Sequence, residues 1–146
     1  MSLTKQFKTN QSKEVSGVTI DYGTNEDGST IQFVLSRMSR ANTAYTKCLE
    51  LATRPYRRQI EMKTLDDATA TKVFIDVFVK TILKGWNNVL LSDVTGNPED
   101  EGFAPFNEQN AIKLMNNLPD LYDDLQEQAK SAQLFKEESL ELEAKN

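Results

Sequence analysis

The chain has 146 residues, a formal net charge of −5 and 38% hydrophobic residues, enough for one domain with a real core and not for two. It has no histidine and a single cysteine, Cys48, which removes the usual general base near neutral pH, the commonest transition-metal ligand, an internal disulfide and any cysteine cluster for zinc. The acidic balance argues against nucleic acid or an anionic membrane as the main partner.

Residues 1 to about 14 are polar, with Phe7 the only aromatic, and read as a flexible N-terminal arm with no apolar run for a signal peptide. A single globular domain is expected over 15–135. In it Val18, Ile20 and Tyr22 alternate with Thr19 and Asp21, the period of a half-buried strand, and Ile31, Phe33 and Leu35 repeat the pattern beyond the turn-rich Gly23–Gly28 segment. This predicts a β-hairpin over about 17–38. A lone hairpin is marginal in water, so it must lie on helices or pair with another chain.

Helices are expected over about 39–135. Ser39 is positioned to cap the first, in which Ala41, Tyr45, Cys48, Ala52, Tyr56 and Ile60 fall on one face. Pro55 interrupts it, so the helix either kinks at Arg54-Pro55 or a second helix begins there. The stretch from Thr64 to Val89 is the most apolar in the chain. Phe74, Val77, Phe78, Thr81, Ile82, Gly85 and Val89 recur at helical spacing, and only Lys72, Asp76, Lys80 and Lys84 form a polar line. Such a helix must be covered on its other sides, which predicts a buried central helix with a capping box at Thr64 and Asp67. Residues 92–102, with two glycines, a proline and several carboxylates, read as a surface loop. Asn107 caps a further helix and Pro119 opens the last, where Leu121, Tyr122, Leu125, Ala129, Ala132 and Phe135 recur at three and four. Residues 136–146 form an acidic tail, expected to fray. The fold class expected is therefore mainly α with a small N-terminal β-hairpin (α+β), a compact helical domain around a central buried helix.

No enzyme site is legible. The acidic loop (Asp93, Asn97, Glu99, Asp100) lacks the ligand order of a calcium loop. Asp123, Asp124 and Glu127 form a wet face without a pocket to separate their pKa values. Cys48 lies on an apolar face, where a free cysteine acts as a small hydrophobe. No phosphate-binding glycine motif occurs, and no catalytic residue, cofactor or metal ligand is expected. Arg54, Arg57, Arg58 and Lys63 make a basic cluster, either paired with Glu50 and Glu61 or recognising an acidic partner or another copy's acidic tail. Trp86 is either core or an interface anchor. Tyr122, Leu125 and Ala129 lie on one face of the last helix and either line a groove or belong to the core. The interaction residues singled out are thus Arg57, Arg58, Trp86, Tyr122, Leu125 and Ala129.

Several segments carry a resemblance: Gly17-Val18-Thr19-Ile20-Asp21-Tyr22-Gly23, then Arg54-Pro55-Tyr56-Arg57-Arg58-Gln59-Ile60, Leu83-Lys84-Gly85-Trp86-Asn87-Asn88-Val89, Pro105-Phe106-Asn107 through Leu114, and Leu118-Pro119-Asp120-Leu121-Tyr122-Asp123-Asp124-Leu125. Their order resembles the tail assembly chaperones of long-tailed, siphovirus-like bacteriophages, from about residue 17 to the C-terminus. The loop from Ser92 to Ala104 is longer than is typical of them. The resemblance implies a non-enzymatic protein that binds the helical tape-measure protein and keeps it soluble until tail-tube subunits polymerise around it. It implies many copies, a frameshifted longer form, residence in the host cell cytoplasm and absence from the mature virion. The partners expected are the tape-measure protein, copies of the chain itself and the tail-tube protein, with no nucleic acid and no membrane. Two other readings compete: a head–tail connector or minor tail component retained in the virion, and an enzyme or regulator hidden in an unfamiliar fold.

Overall fold

In the computed structural model, which describes residues 2–135, the two alternating stretches form strands β1 (Val18–Thr24) and β2 (Thr30–Leu35), antiparallel, with Val18 opposite Leu35 and Ile20 opposite Phe33. Two short helices come before them, α1 (Leu3–Phe7) and α2 (Gln11–Ser16). Ser2 and Asn10 cap these, each side-chain oxygen accepting an N–H three residues on. The segment read as a flexible arm thus carries α1 and the start of α2, and Asn10 N–H donates to the Phe135 carbonyl at 2.6 Å.

The expected fold class is overturned at two points. The β element is not a small N-terminal hairpin. It is a three-stranded antiparallel sheet of order β1-β2-β3, whose third strand, β3 (Leu83–Asn87), sits in the middle of the chain and sets Trp86 opposite Phe33 and Gly85 opposite Val34. Nor does a buried central helix run from Thr64 to Val89. Helix α5 spans Asp67–Thr81, is capped by Asp66 and not by Thr64, and leaves Phe74 43% exposed while burying Ile75, Val77, Phe78, Val79 and Thr81.

The helix stops where another element takes its last carbonyls. Ser36, just past β2, donates its hydroxyl to the Thr81 carbonyl at 2.9 Å and its N–H to the Ile82 carbonyl at 2.9 Å. With these acceptors satisfied from outside, the backbone leaves the helix, and glycine at 85 removes the helical preference that would oppose it. Residues 83–87 then exchange intrahelical bonds for a ladder with β2. Asn88, at φ +61°, ends the strand, and its amide donates to the Thr30 carbonyl at 2.8 Å.

Gly85 offers a direct check of this assignment. A Cβ there would meet nothing within 4 Å, and its φ is not positive. Gly85→Ala is expected to raise stability by about 0.4–1 kcal/mol, by restricting the unfolded chain. A denaturation midpoint that falls instead would mean that the backbone at 85 is closely approached and not the open strand position described.

Helix α3 (Thr43–Thr53) begins later than Ser39 suggests, because Asn42 caps it: Oδ1 accepts the Tyr45 N–H at 3.1 Å while its amide donates to the Arg37 carbonyl at 2.8 Å. At Pro55 the chain takes a 3-10 turn (Arg54–Tyr56) and a new short helix, α4 (Arg57–Glu61). Lys63, left-handed at φ +56°, closes that helix, with the Thr64 N–H on the Gln59 carbonyl at 2.8 Å. The loop after β3 contains a short helix, α6 (Leu91–Thr95), and is pinned by a bridge between Leu90 and Phe103. Helix α7 (Glu108–Asn117) starts at the Asn107 cap and α8 (Pro119–Lys130) at Pro119, as their local signals indicate. A 3-10 turn (Ala132–Phe135) follows. The acidic tail expected over 136–146 lies outside the described residues.

Candidate functional site

Four of the six residues singled out from sequence are core. Trp86 is 7% exposed; its Nε1 donates to the Ala104 carbonyl at 2.9 Å, and its ring meets Phe33 and Phe106 edge-to-face at 6.2 and 5.0 Å. Tyr122 packs edge-on against Phe78 at 5.3 Å. Burial, with lesser contributions from Tyr45 and Asp123, pushes its hydroxyl pKa up to about 12. Leu125 and Ala129 are fully enclosed. The groove expected along the last helix is therefore filled: α8 turns Tyr122, Leu125 and Ala129 inward to complete the cluster built by α5, α7 and the sheet. Helical periodicity identifies an apolar face, but it cannot say whether another element of the same chain covers it.

Arg57 and Arg58 lie elsewhere, on a surface of different character. No residue of α3, the 3-10 turn or α4 is buried. These elements form a helical arm, packed through α3 against α5, with Tyr45 partly covered by the core. Leu51 is 59% and Met62 62% exposed, Ile60 is also exposed, and Phe74 of α5 adds an aromatic ring to the open apolar surface. Arg58 and Met62 stand four apart on α4 and its C-cap, while Leu51 lies on α3, before the 3-10 turn that holds Arg54 and Pro55.

Charge on the arm runs against that of the whole. From the start of α3 to Thr64 stand five basic and two acidic residues, in a chain of net charge −5. Glu50 receives Arg54 at 2.8 Å and Arg57 at 3.4 Å, and the Arg54 hydrogen bond holds its carboxyl below the usual carboxylate range. Glu50 thus serves two arginines. Arg58 and Lys63 make no ion pair within the described residues. This mixed basic and apolar surface was only half legible in sequence. Its charges are visible, but the pattern sets Ile60 on the apolar face of the first helix and Phe74 on a helix expected to be covered. Leu51 gave the available signal, since it falls outside the Tyr45–Cys48–Ala52–Tyr56 stripe.

Other polar regions are less developed. Asp120, Asp123, Asp124 and Glu127 line an open hollow on α8, where Asp124 accepts the Tyr22 hydroxyl and ties β1 to that helix. The Tyr22 pKa is raised, first by burial and then by this hydrogen bond. A cleft of about 190 Å³ lies between α2 and the segment from Ser36 to Ala44, beside the Arg37–Glu14 ion pair at 2.8 Å. In the acidic loop, Asp100 accepts the Thr95 hydroxyl at 2.6 Å and Asn97 accepts the Glu99 N–H at 3.0 Å, so these groups shape the turn. Among the described residues no cluster of acidic, cysteine or histidine side chains is placed to hold a metal ion, and no helix is long and apolar enough to cross a membrane.

Comparison with known proteins places the arm inside a recognised family region. The model of the YdaY prophage protein family matches residues 40–146, from the approach to α3 through to the end of the chain. No curated protein and no solved structure matches. With well over half of its length matched, the chain belongs to the YdaY prophage protein family and is phage-derived.

Proposed function

We propose that this phage-derived protein is a non-enzymatic tail assembly chaperone, which binds the tape-measure protein in the host cytoplasm and keeps it soluble while the tail tube polymerises. The observation that carries the reading is the arm: a helical surface with no buried side chain, exposing Leu51, Ile60 and Met62 beside Arg54, Arg57 and Arg58. A very long amphipathic helical protein displays an apolar stripe until its tube encloses it, and such stripes aggregate. A chaperone for it needs an exposed apolar surface that its own core does not consume, and helical segments dock on such surfaces through anchors at helical spacing. The prophage family and the segments that resemble tail assembly chaperones support the same reading.

Co-expression of the tape-measure protein of the same prophage tests it. The parent chain is expected to hold that protein in the soluble fraction, and the double variant Leu51→Ser/Ile60→Ser to lose this capacity while melting within about 4 °C of the parent, since surface substitutions change stability by about 0.5 kcal/mol or less each. A tape-measure protein equally soluble with the variant, or equally insoluble with the parent, overturns the assignment. Recovery of the chain in stoichiometric amounts from purified virions would make it a tail component instead.

A further inference from the structure

We infer that the arm formed by α3, the 3-10 turn and α4 selects its partner by charge, and that the segment it takes is an amphipathic helix whose apolar stripe is flanked by carboxylates. The inference rests on the chaperone reading and adds the chemistry of the bound segment to it. Three observations carry it. The apolar anchors are exposed and interleaved with cations, so burying Leu51, Ile60 or Met62 against a partner also brings that partner's flanks against Arg54, Arg57 and Arg58. The local carboxylates do not neutralise those cations: Glu50 already accepts from both Arg54 and Arg57, and Arg58 and Lys63 have no ion-pair partner within the described residues. The arm itself is net basic within a chain of net charge −5.

A basic partner helix would leave these guanidinium groups desolvated against like charge, whereas glutamates flanking the stripe give them charge-assisted and bidentate partners. Single-stranded nucleic acid is the less fitting occupant. It needs exposed rings interleaved with the cations, whereas Tyr45 and Tyr56 of the arm are half-buried, its exposed anchors Leu51, Ile60 and Met62 carry no ring, and the one exposed ring nearby, Phe74, belongs to α5.

The test uses the full chain and two fluorescein-labelled synthetic helices of ~20 residues, a length at which isolated helices become appreciably populated. Both carry the same leucine stripe, one flanked by glutamates and the other by lysines. The acidic helix is expected to bind at least tenfold more tightly, and added salt to narrow the difference. Arg57→Glu/Arg58→Glu should reverse the preference, and Leu51→Ser/Ile60→Ser should weaken both helices alike. Equal binding of the two peptides, or an unchanged preference in the charge-reversed variant, overturns the proposal. So does tighter binding of a labelled single-stranded oligonucleotide than of the acidic helix. Sedimentation of the chain alone covers the remaining occupant: self-association lost on charge reversal, with neither peptide bound, would assign the arm to a second copy. The two levels separate cleanly. Tape-measure solubility retained by the charge-reversed variant leaves the chaperone reading standing and removes the charge preference. A clear peptide preference without tape-measure solubility does the opposite.

Discussion

Trp86→Ala is expected to destabilise the fold by about 3–5 kcal/mol, and Leu125→Ala by about 2–5 kcal/mol, the range for large side chains removed from a close-packed core. Both residues are enclosed, and each joins elements distant in sequence. Trp86 connects β3 to Phe33 of β2 and, through Nε1, to the Ala104 carbonyl. Its removal leaves a cavity between the sheet and the Ala104–Phe106 segment, together with a buried carbonyl that has lost this donor. Leu125 belongs to the cluster shared by α5, α7 and α8. Chemical denaturation followed by circular dichroism reads both losses. Stability within about 0.5 kcal/mol of the parent for either variant would mean that these side chains face a partner and not the core, restoring a groove along α8.

Gly17→Ala is expected to cost about 2–3 kcal/mol, at the upper end of the range for forced backbone strain. Gly17 ends α2 and leads into β1 at φ +97° and ψ 166°, a region essentially reserved for glycine. A Cβ there would stand 2.9 Å from the Leu35 carbonyl oxygen and 3.0 Å from Val34 Cγ1. Backbone of the paired strand cannot swing aside as a flexible side chain would, so the strain has no local relief. Gly23 provides the control: it also has positive φ, at +103°, but a Cβ there meets nothing within 4 Å. Gly23→Ala should therefore show the conformational cost alone. If the two variants melt together, β1 is not held against Leu35 as described.

Features written in local chemistry were legible along the chain. Asn107 caps α7 by accepting the N–H of Asn110, three residues on, and Pro119 occupies the first turn of α8, where it has no intrahelical bond to lose. Arg57 and Arg58 are exposed, as a dense pair of arginines in a helical segment should be. Local signals failed where a second capping residue stood within three positions of the first. Ser39 and Thr64 had the right chemistry for caps, but Asn42 and Asp66 took those positions; Asn42, for one, also ties to the Arg37 carbonyl.

By itself, then, the sequence determined which stretches are apolar, where α7 and α8 begin, and that a cationic cluster stands out from an acidic chain. Only the tertiary structure decided that residues 83–87 are a strand, because the helical pattern over 64–89 could not register Ser36 taking the carbonyls of Thr81 and Ile82. It alone also decided which apolar face remains open. An amphipathic stripe has the same periodicity whether α5 and the sheet cover it, as with Tyr122, Leu125 and Ala129, or whether it stands uncovered, as with Leu51 and Met62. Burial is a property of the neighbours a side chain acquires, and those neighbours are set by packing between distant segments.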